Sequence, residues 1–547
     1  MSSDLWAPPG PGSWKLDVTH MRGPVELLQM ESFAPALEDG FRDSFAQLGF
    51  ALGNILFRAV PSGWLYGCAV PITADQMPDR IAAASRVLAE RPWRRQPEIW
   101  ANEQRPAFVA KIREIQRQDP SKLDDGALAQ HVRAASRLVY DGFRLHIENY
   151  SYTGTCVGDW LVQAATWART PPWEVVGALA GYSPASAMTL VALDELAAAV
   201  RGADKATALF AKGLPTLVEL RASAPTVADA LDRYLDEYGD RTVSGFHISD
   251  VTLREEPQLL IKTLAAVLEP DQSRPALRKE ADAVAARLRE KVPAENRAEY
   301  DSLLADARHV YGSNDVDVVV LLFWSLGLLR RAALAAGRRL HAAGRIHGPE
   351  HTFDATADEV TALLTGAPGA ISAATLDARF QQRLAYAKLD APLYIGDPPQ
   401  GPPPPGVLPP PVERITNAFG LAWTLVDEDG SPLRPPSEVP SLQLAGHGAS
   451  VGVYEGTARV IHGPADFGRL RRRDVLVART TSPTYNIILP LVGAIVTDRG
   501  GVLCHAAIVS REFGIPAVVG TGTATRDIPD GARVRVDGNT GTVHILT

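Results

Sequence analysis

The stretch Thr497 to Gly520, TDRGGVLCHAAIVSREFGIPAVVG, admits few folds. Gly493-Ala494-Ile495-Val496 reads as a strand leading into it, Pro516-Ala517-Val518-Val519 as a strand closing it, and His505 to Phe513 as a short helix between them. Together they make a βαβ unit. His505 falls at the first turn of the helix, behind Gly500-Gly501. Unpaired N–H groups and the helix dipole favour an anion there. The glycines allow close backbone approach and positive φ. A neutral imidazole is a good nucleophile near pH 7, so the place suits a histidine that carries a phosphoryl group. The plainer alternative is a histidine that only caps a helix.

The string resembles, nearly residue for residue, the phosphohistidine segment of the phosphoenolpyruvate-utilising enzymes. That family includes phosphoenolpyruvate synthase, pyruvate phosphate dikinase, rifampin phosphotransferase and phenylphosphate synthase. In its pattern, TD-x-GG-x-x-(S/C)-H-x-A-I-V-x-R-E-x-GIPAVVG, His505 falls on the phosphorylated position and Cys504 on the variant seen in the synthases. Many members carry a regulatory threonine where this chain has Leu503, so control by phosphorylation of that position is expected to be absent. The resemblance is strongest from Gly446 onward. It takes in Thr480-Thr481-Ser482-Pro483 and Val536-Asp537-Gly538-Asn539-Thr540-Gly541, and implies a swivelling β/β/α domain that carries phosphate between two distant sites. A weaker resemblance, to the rifampin phosphotransferase substrate domain, lies in Tyr238-Gly239-Asp240-Arg241, Leu253-Arg254-Glu255-Glu256-Pro257 and Gly327-Leu328-Leu329-Arg330.

The remaining chain is expected to be mostly helical. Residues 1–34, rich in Pro, Gly and Trp, read as an arm without regular structure, with Trp6, Trp14, Asp17 and His20 packing it down. From 35 to 395 apolar residues recur at three and four positions, as in Gln76–Glu90, Leu128–Tyr150 and Val316–Ala343, predicting a helical acceptor-binding domain. Residues 396–441 contain DPPQGPPPPGVLPPP and read as a proline-rich linker. From 442 to 547 short strands alternate with Gly, Asp and Pro, the expected extent of the swivelling domain. The expected fold is therefore α plus α/β and multidomain: a large, mostly helical substrate domain, then a small β/β/α phosphohistidine domain.

Composition excludes several classes. A net charge of −8 gives no general attraction to nucleic acid or anionic lipid, so neither is expected as a partner. Three scattered cysteines without metal spacing point to a reducing cytoplasm, no disulfide framework and no metal site. The start, MSSDLWAPPGPGSW, lacks the features of a signal peptide. The apolar run Val318 to Leu329 is too short to span a bilayer and reads as a core helix.

The family normally adds an ATP-grasp domain, and no glycine-rich phosphate loop of that kind is found here. ATP and magnesium are therefore expected at a separate ATP-grasp protein, with no cofactor bound permanently. Transfer from His505 to a hydroxyl-bearing small organic acceptor needs positioning, cationic stabilisation and a base. Candidate phosphate contacts are Thr480, Ser482, Thr497, Arg499, Gly500 and Gly501. Candidate acceptor contacts are Arg144, His146, Arg241, His247, Arg254 and Arg330, and Arg511 with Glu512 is expected to brace the helix. The expected function is a phosphotransferase component. Its alternatives are a phosphorylation-driven dehydratase and a non-catalytic phosphohistidine carrier or regulatory module.

Overall fold

The computed structural model describes residues 3–17, 20–183, 185–243, 245–268, 277–313, 317–399, 401, 403–426, 442–481 and 483–546, with backbone only at 185–190, 277, 464, 465, 483 and 484. A large helical part precedes a small C-terminal β domain, as expected. The chain packs as two compact units. One comprises Met1–Thr155, Gly245–Asp250 and Asp317–Asn417; the other comprises Cys156–Ser244, Val251–Val316 and Ala418–Thr547. The helical stretch 35–395 thus divides between two bodies instead of forming one.

The first unit contains a four-stranded antiparallel sheet of β1 (Ser13–Leu16), β2 (Leu52–Ala59), β3 (Leu65–Pro71) and β4 (Tyr394–Gly396), in the order β2-β3-β1-β4. Two expectations are corrected here. The N-terminal arm holds a strand, and a β-hairpin interrupts the helical stretch. β1 pairs with Gly67 through Lys15 and with Gly396 through Ser13, so its stabilisation comes from residues far along the chain and leaves no local pattern. Trp14, Leu16, Trp64, Tyr66 and Ile395 form the apolar cluster of this sheet.

Helix α1 (Leu27–Leu48) ends on Gly49, whose φ of 84° is the left-handed conformation that closes many helices. Helix α2 (Asp125–Ala168) runs on past the expected end at Tyr150. Ser151, Thr153 and Thr155 look like a stop signal, but their hydroxyls donate back to the carbonyls of Ile147, Asn149 and Ser151, which lets the polar run stay helical. The expected helix Val316–Ala343 is a π-helical turn, Val318–Phe323, followed by α3 (Trp324–Ala342). Among the described residues Val318–Ala342 is the one stretch apolar and long enough to cross a membrane, and 83% of its most apolar window is buried inside the protein.

Helix α4 (Pro410–Val426) occupies part of the expected linker. Proline is tolerated at a helix start, and Val412, Ile415, Ala418, Phe419, Ala422 and Leu425 then recur at helical spacing and are buried.

In the second unit the sheet has eight strands: β5 (Gln443–Ala445), β6 (His447–Ser450), β7 (Val453–Ile461), β8 (Asp474–Ala478), β9 (Val492–Thr497), β10 (Ala517–Val519), β11 (Arg533–Asp537) and β12 (Thr542–Leu546). Their order is β5-β12-β11-β7-β8-β9-β10-β6. The run β7-β8-β9-β10 is parallel and the remaining pairs are antiparallel. Side chains alternate across it. Val475, Val477, Ala494, Val496 and Val518 enter one core, while Leu476, Ala478, Ile495, Ala517 and Val519 enter another, shared with helices Ala185–Arg201, Pro225–Tyr238 and Pro257–Leu268. A parallel sheet buried on both faces is why these strands read as unbroken apolar runs. Between β9 and β10 lies helix α5 (His505–Phe513).

Candidate functional site

β9 delivers the chain to its C-terminal edge at Thr497, and a loop returns it to α5. Gly500 has a φ of 113°, a conformation glycine alone adopts freely. Gly501 lies against the carbonyl oxygen of Leu425 with no room for a Cβ. Leu503 N–H donates to the same oxygen at 2.9 Å. The loop thereby satisfies one of the carbonyls that the last turn of α4 leaves without a partner. From the other side Arg511 donates to the carbonyls of Val502 (2.6 Å) and Ala449 (2.9 Å) and to the hydroxyl of Tyr311 (3.1 Å). Asp498 takes the N–H of Thr525 at 2.8 Å. Glu512 accepts from the N–H groups of Gly181 (2.9 Å) and Ser183 (3.2 Å). Arg511 therefore braces the loop ahead of the helix, and Glu512 holds the turn at 181–183.

Cys504 is the extended N-cap of α5, and the first helical bond runs from Ile508 N–H to the Cys504 carbonyl. The N–H groups at the start of the helix have no acceptor within it, which leaves positive potential around His505. The ring itself is held at both nitrogens: Nδ1 lies 3.0 Å from Thr481 Oγ1 and Nε2 lies 2.9 Å from Asn486 Oδ1. An amide oxygen only accepts, so Nε2 carries the hydrogen, and Nδ1 accepts from the Thr481 hydroxyl. Burial pushes the His505 pKa down to about 3. The imidazole is therefore neutral at pH 7, which is the form that attacks phosphorus.

The other candidate phosphate contacts shape the loop. Thr497 Oγ1 donates to the Arg499 carbonyl at 2.7 Å, Thr480 Oγ1 to the Thr481 carbonyl at 3.4 Å, and Arg499 N–H to the Arg479 carbonyl at 2.9 Å. Ser482 lies outside the described residues. Thr481 and Asn486, which touch the ring, were not among the candidates. Thr481 stood inside the quoted Thr480–Pro483 run. Asn486 was signalled only as a lone amide ahead of the apolar Ile487-Ile488-Leu489.

The six acceptor candidates fall in both units. In the first, Arg144 is a half-exposed partner of Asp43 and Glu148. Arg330 donates to the carbonyls of Ile248 (3.2 Å) and Ser249 (3.0 Å). His247 is saturated: Nδ1 pairs with Glu26 at 2.8 Å and Nε2 accepts from Arg22 N–H at 3.2 Å. Burial raises the Glu26 carboxyl, but His247 and Arg383 outweigh it and hold its pKa at about 2. His146 Nδ1 pairs with Asp317 at 2.8 Å. In the second unit Arg241 stacks over Tyr238 at 4.1 Å and Arg254 reaches Asp240 at 3.2 Å. The Thr242–Thr252 bridge brings the Tyr238–Arg241 and Leu253–Pro257 motifs together. Among the described residues no group of three His, Cys, Asp or Glu is gathered for a metal.

Comparison with known proteins places parts of this chain beside two families. Residues 470–541 match the mobile domain of PEP-utilising enzymes. Residues 160–315 match the fourth domain of rifampicin phosphotransferase. An uncharacterised protein of Mycobacterium tuberculosis is 29% identical over 371 residues, covering 67% of this chain and 37% of that protein. A rifampicin phosphotransferase of Streptomyces sviceus is 29% identical over 333 residues, 58% of this chain and 34% of that enzyme. A probable phosphoenolpyruvate synthase of Archaeoglobus fulgidus is 46% identical over 103 residues, 19% of this chain and 14% of that enzyme. The matched stretch thus spans only 37% and 34% of the first two relatives' own length. A mobile domain at 470–541 beside a region like the fourth domain of rifampicin phosphotransferase makes this chain similar to the PEP-utilising phosphotransferases.

Proposed function

We propose that this chain is the carrier and acceptor-binding part of a phosphotransferase, with His505 taking a phosphoryl group and passing it to a hydroxyl of a small organic acceptor. The observation that carries this reading is the His505 ring at the first turn of α5, held at both nitrogens by Thr481 and Asn486. A nitrogen attacks phosphorus only with a free lone pair. One of the two contacts therefore opens on charging, while the other keeps the ring aligned. The start of α5 favours the incoming anion. ATP and magnesium, in this reading, are held by an ATP-grasp protein apart from this chain, and the work takes place in the cytoplasm.

Potassium phosphoramidate, a small-molecule donor that phosphorylates histidine, tests the first step without the partner. The charged chain should gain one acid-labile, base-stable phosphoryl group on His505 by mass spectrometry. Incubation with ATP, magnesium and an ATP-grasp protein should place the same label on the same residue. A label that survives acid, or one still taken up by His505→Ala, would overturn the reading.

A further inference from the structure

Within the second unit, the sheet domain that bears His505 and the helices packed on it share one apolar core. Leu196 of helix Ala185–Arg201, with Leu260 and Leu264 of helix Pro257–Leu268, belongs to the same cluster as Ile487, Ile495 and Ala507. Ile495 lies on β9 and Ala507 on α5 itself. All six are buried. Domains of one chain that part and rejoin in water meet through small, rather polar surfaces, whereas a large apolar surface holds them together. The boundary here is of the second kind.

Polar ties cross the same boundary. Thr263 Oγ1 donates to the Ile487 carbonyl at 2.6 Å, and Lys262 Nζ donates to the Gly468 carbonyl. Glu512 accepts from the N–H groups of Gly181 and Ser183, and the Tyr311 hydroxyl accepts from Arg511 at 3.1 Å. Several of these ties end on the parts that shape the site. Ile487 follows Asn486, which holds the His505 ring, and Arg511 holds the Val502 carbonyl in the loop ahead of that ring. Were the sheet domain to leave the helices, the buried Thr263 and Arg511 would each lose a partner, an expensive loss away from water. The segment that aligns His505 would lose its support at the same time. His505 keeps some exposure in the packed state, so a small donor reaches it with the helices in place.

We infer that the sheet domain does not swing by itself: it and the helical layer of the second unit form one rigid carrier, and any travel of His505 is travel of that whole body. This departs from the expectation that residues 442–547 swivel alone. The need for travel rests on the phosphocarrier reading of His505, whereas the rigidity rests on the shared core and the ties across it. The stretch 470–541, similar to the mobile domain of PEP-utilising enzymes, thus carries along its neighbours from the stretch similar to the fourth domain of rifampicin phosphotransferase.

The test uses the full chain, in which Cys68, Cys156 and Cys504 are buried. Spin labels on Val218→Cys in the helical layer and Val451→Cys in the sheet domain, both exposed positions, report their separation by electron double resonance. One narrow distance is expected, unchanged after potassium phosphoramidate charges His505. A second or broadened distance in either state overturns the inference. Lys262→Cys with Gly468→Cys, joined by bismaleimidoethane, locks the boundary, and this chain should charge on His505 as fast as the unlinked double variant. Charging lost on cross-linking overturns the inference, because separation would then have to precede reaction. Should these variants fail to fold, the wild type decides. Cys504 belongs to the shared core, so N-ethylmaleimide should leave it unmodified in the folded chain, before and after charging. Modification of Cys504 without unfolding overturns the inference. A wild type that never charges overturns the carrier reading instead, and the distance in the uncharged chain still decides whether the body is rigid.

Discussion

The main-chain N–H of Leu503 donates to the carbonyl oxygen of Leu425 at 2.9 Å. Through this bond the last turn of α4 is fastened to the loop two residues ahead of His505. The position that carries a regulatory threonine in many of the enzymes this segment resembles is here an anchoring point, with the Leu503 side chain buried.

Gly501→Ala should therefore be costly. Its Cβ would press on the Leu425 carbonyl, which belongs to a helix and cannot yield. A loss of about 1–3 kcal/mol is expected in denaturant unfolding, with slower charging of His505. Gly420→Ala is the control: it sits in α4 with open space around it, and gains up to about 1 kcal/mol from helix propensity. Equal stability of the two variants would show that the contact carries no energy.

His505→Ala should abolish acid-labile label while leaving the melting temperature near that of wild type. Alanine keeps the helix start, since the loop is held by Arg511 and Leu503 and not by the imidazole. Residual acid-labile label in this variant would place the carrier elsewhere.

His505 should also make the fold acid-sensitive. Its pKa is lowered from 6.5 to about 3 by burial. The unfolded chain therefore binds that proton first, and the stability this imposes is fully present above about pH 6.5 and lost as pH falls toward 3. The slope is at most about 1.4 kcal/mol per pH unit. His505→Gln should become more stable relative to wild type between pH 6.5 and 4.5, read as the difference in urea midpoints. A constant difference across that range would mean that the ring is not enclosed.

Thr481→Val and Asn486→Leu should separate the two ring contacts. Each removes one partner of the imidazole and leaves the other. Charging by phosphoramidate should slow about ten-fold or more in the variant that loses the aligning contact, following the cost of about 1–3 kcal/mol for an unmade buried hydrogen bond. The variant that loses the contact which opens on charging should be nearly unaffected. Wild-type rates in both would remove Thr481 and Asn486 from the mechanism.

Thr263→Val should loosen the helical layer from the sheet domain within the second unit. Thr263 Oγ1 donates to the Ile487 carbonyl at 2.6 Å, next to Asn486. The expected loss is about 1 kcal/mol, with increased amide exchange at 485–488. Unchanged exchange there would show that the apolar core alone fixes this segment.

Local information sufficed wherever the chemistry is written in neighbouring residues. Gly500, Gly501 and His505 lie within six residues of chain, so the loop, the helix start and the candidate nucleophile were all readable. The same holds for the strands β8 to β10, whose apolar runs follow from burial on both faces of a parallel sheet. Tertiary structure decided the rest. β1 exists because β3 and β4, far along the chain, pair with it on either side, and α4 exists because its apolar stripe is buried despite the prolines around it. Thr481 and Asn486 reach His505 across 24 and 19 residues, and Asp317 reaches His146 across 171. A sequence shows which side chains can hydrogen-bond, but only the folded backbone determines which of them meet.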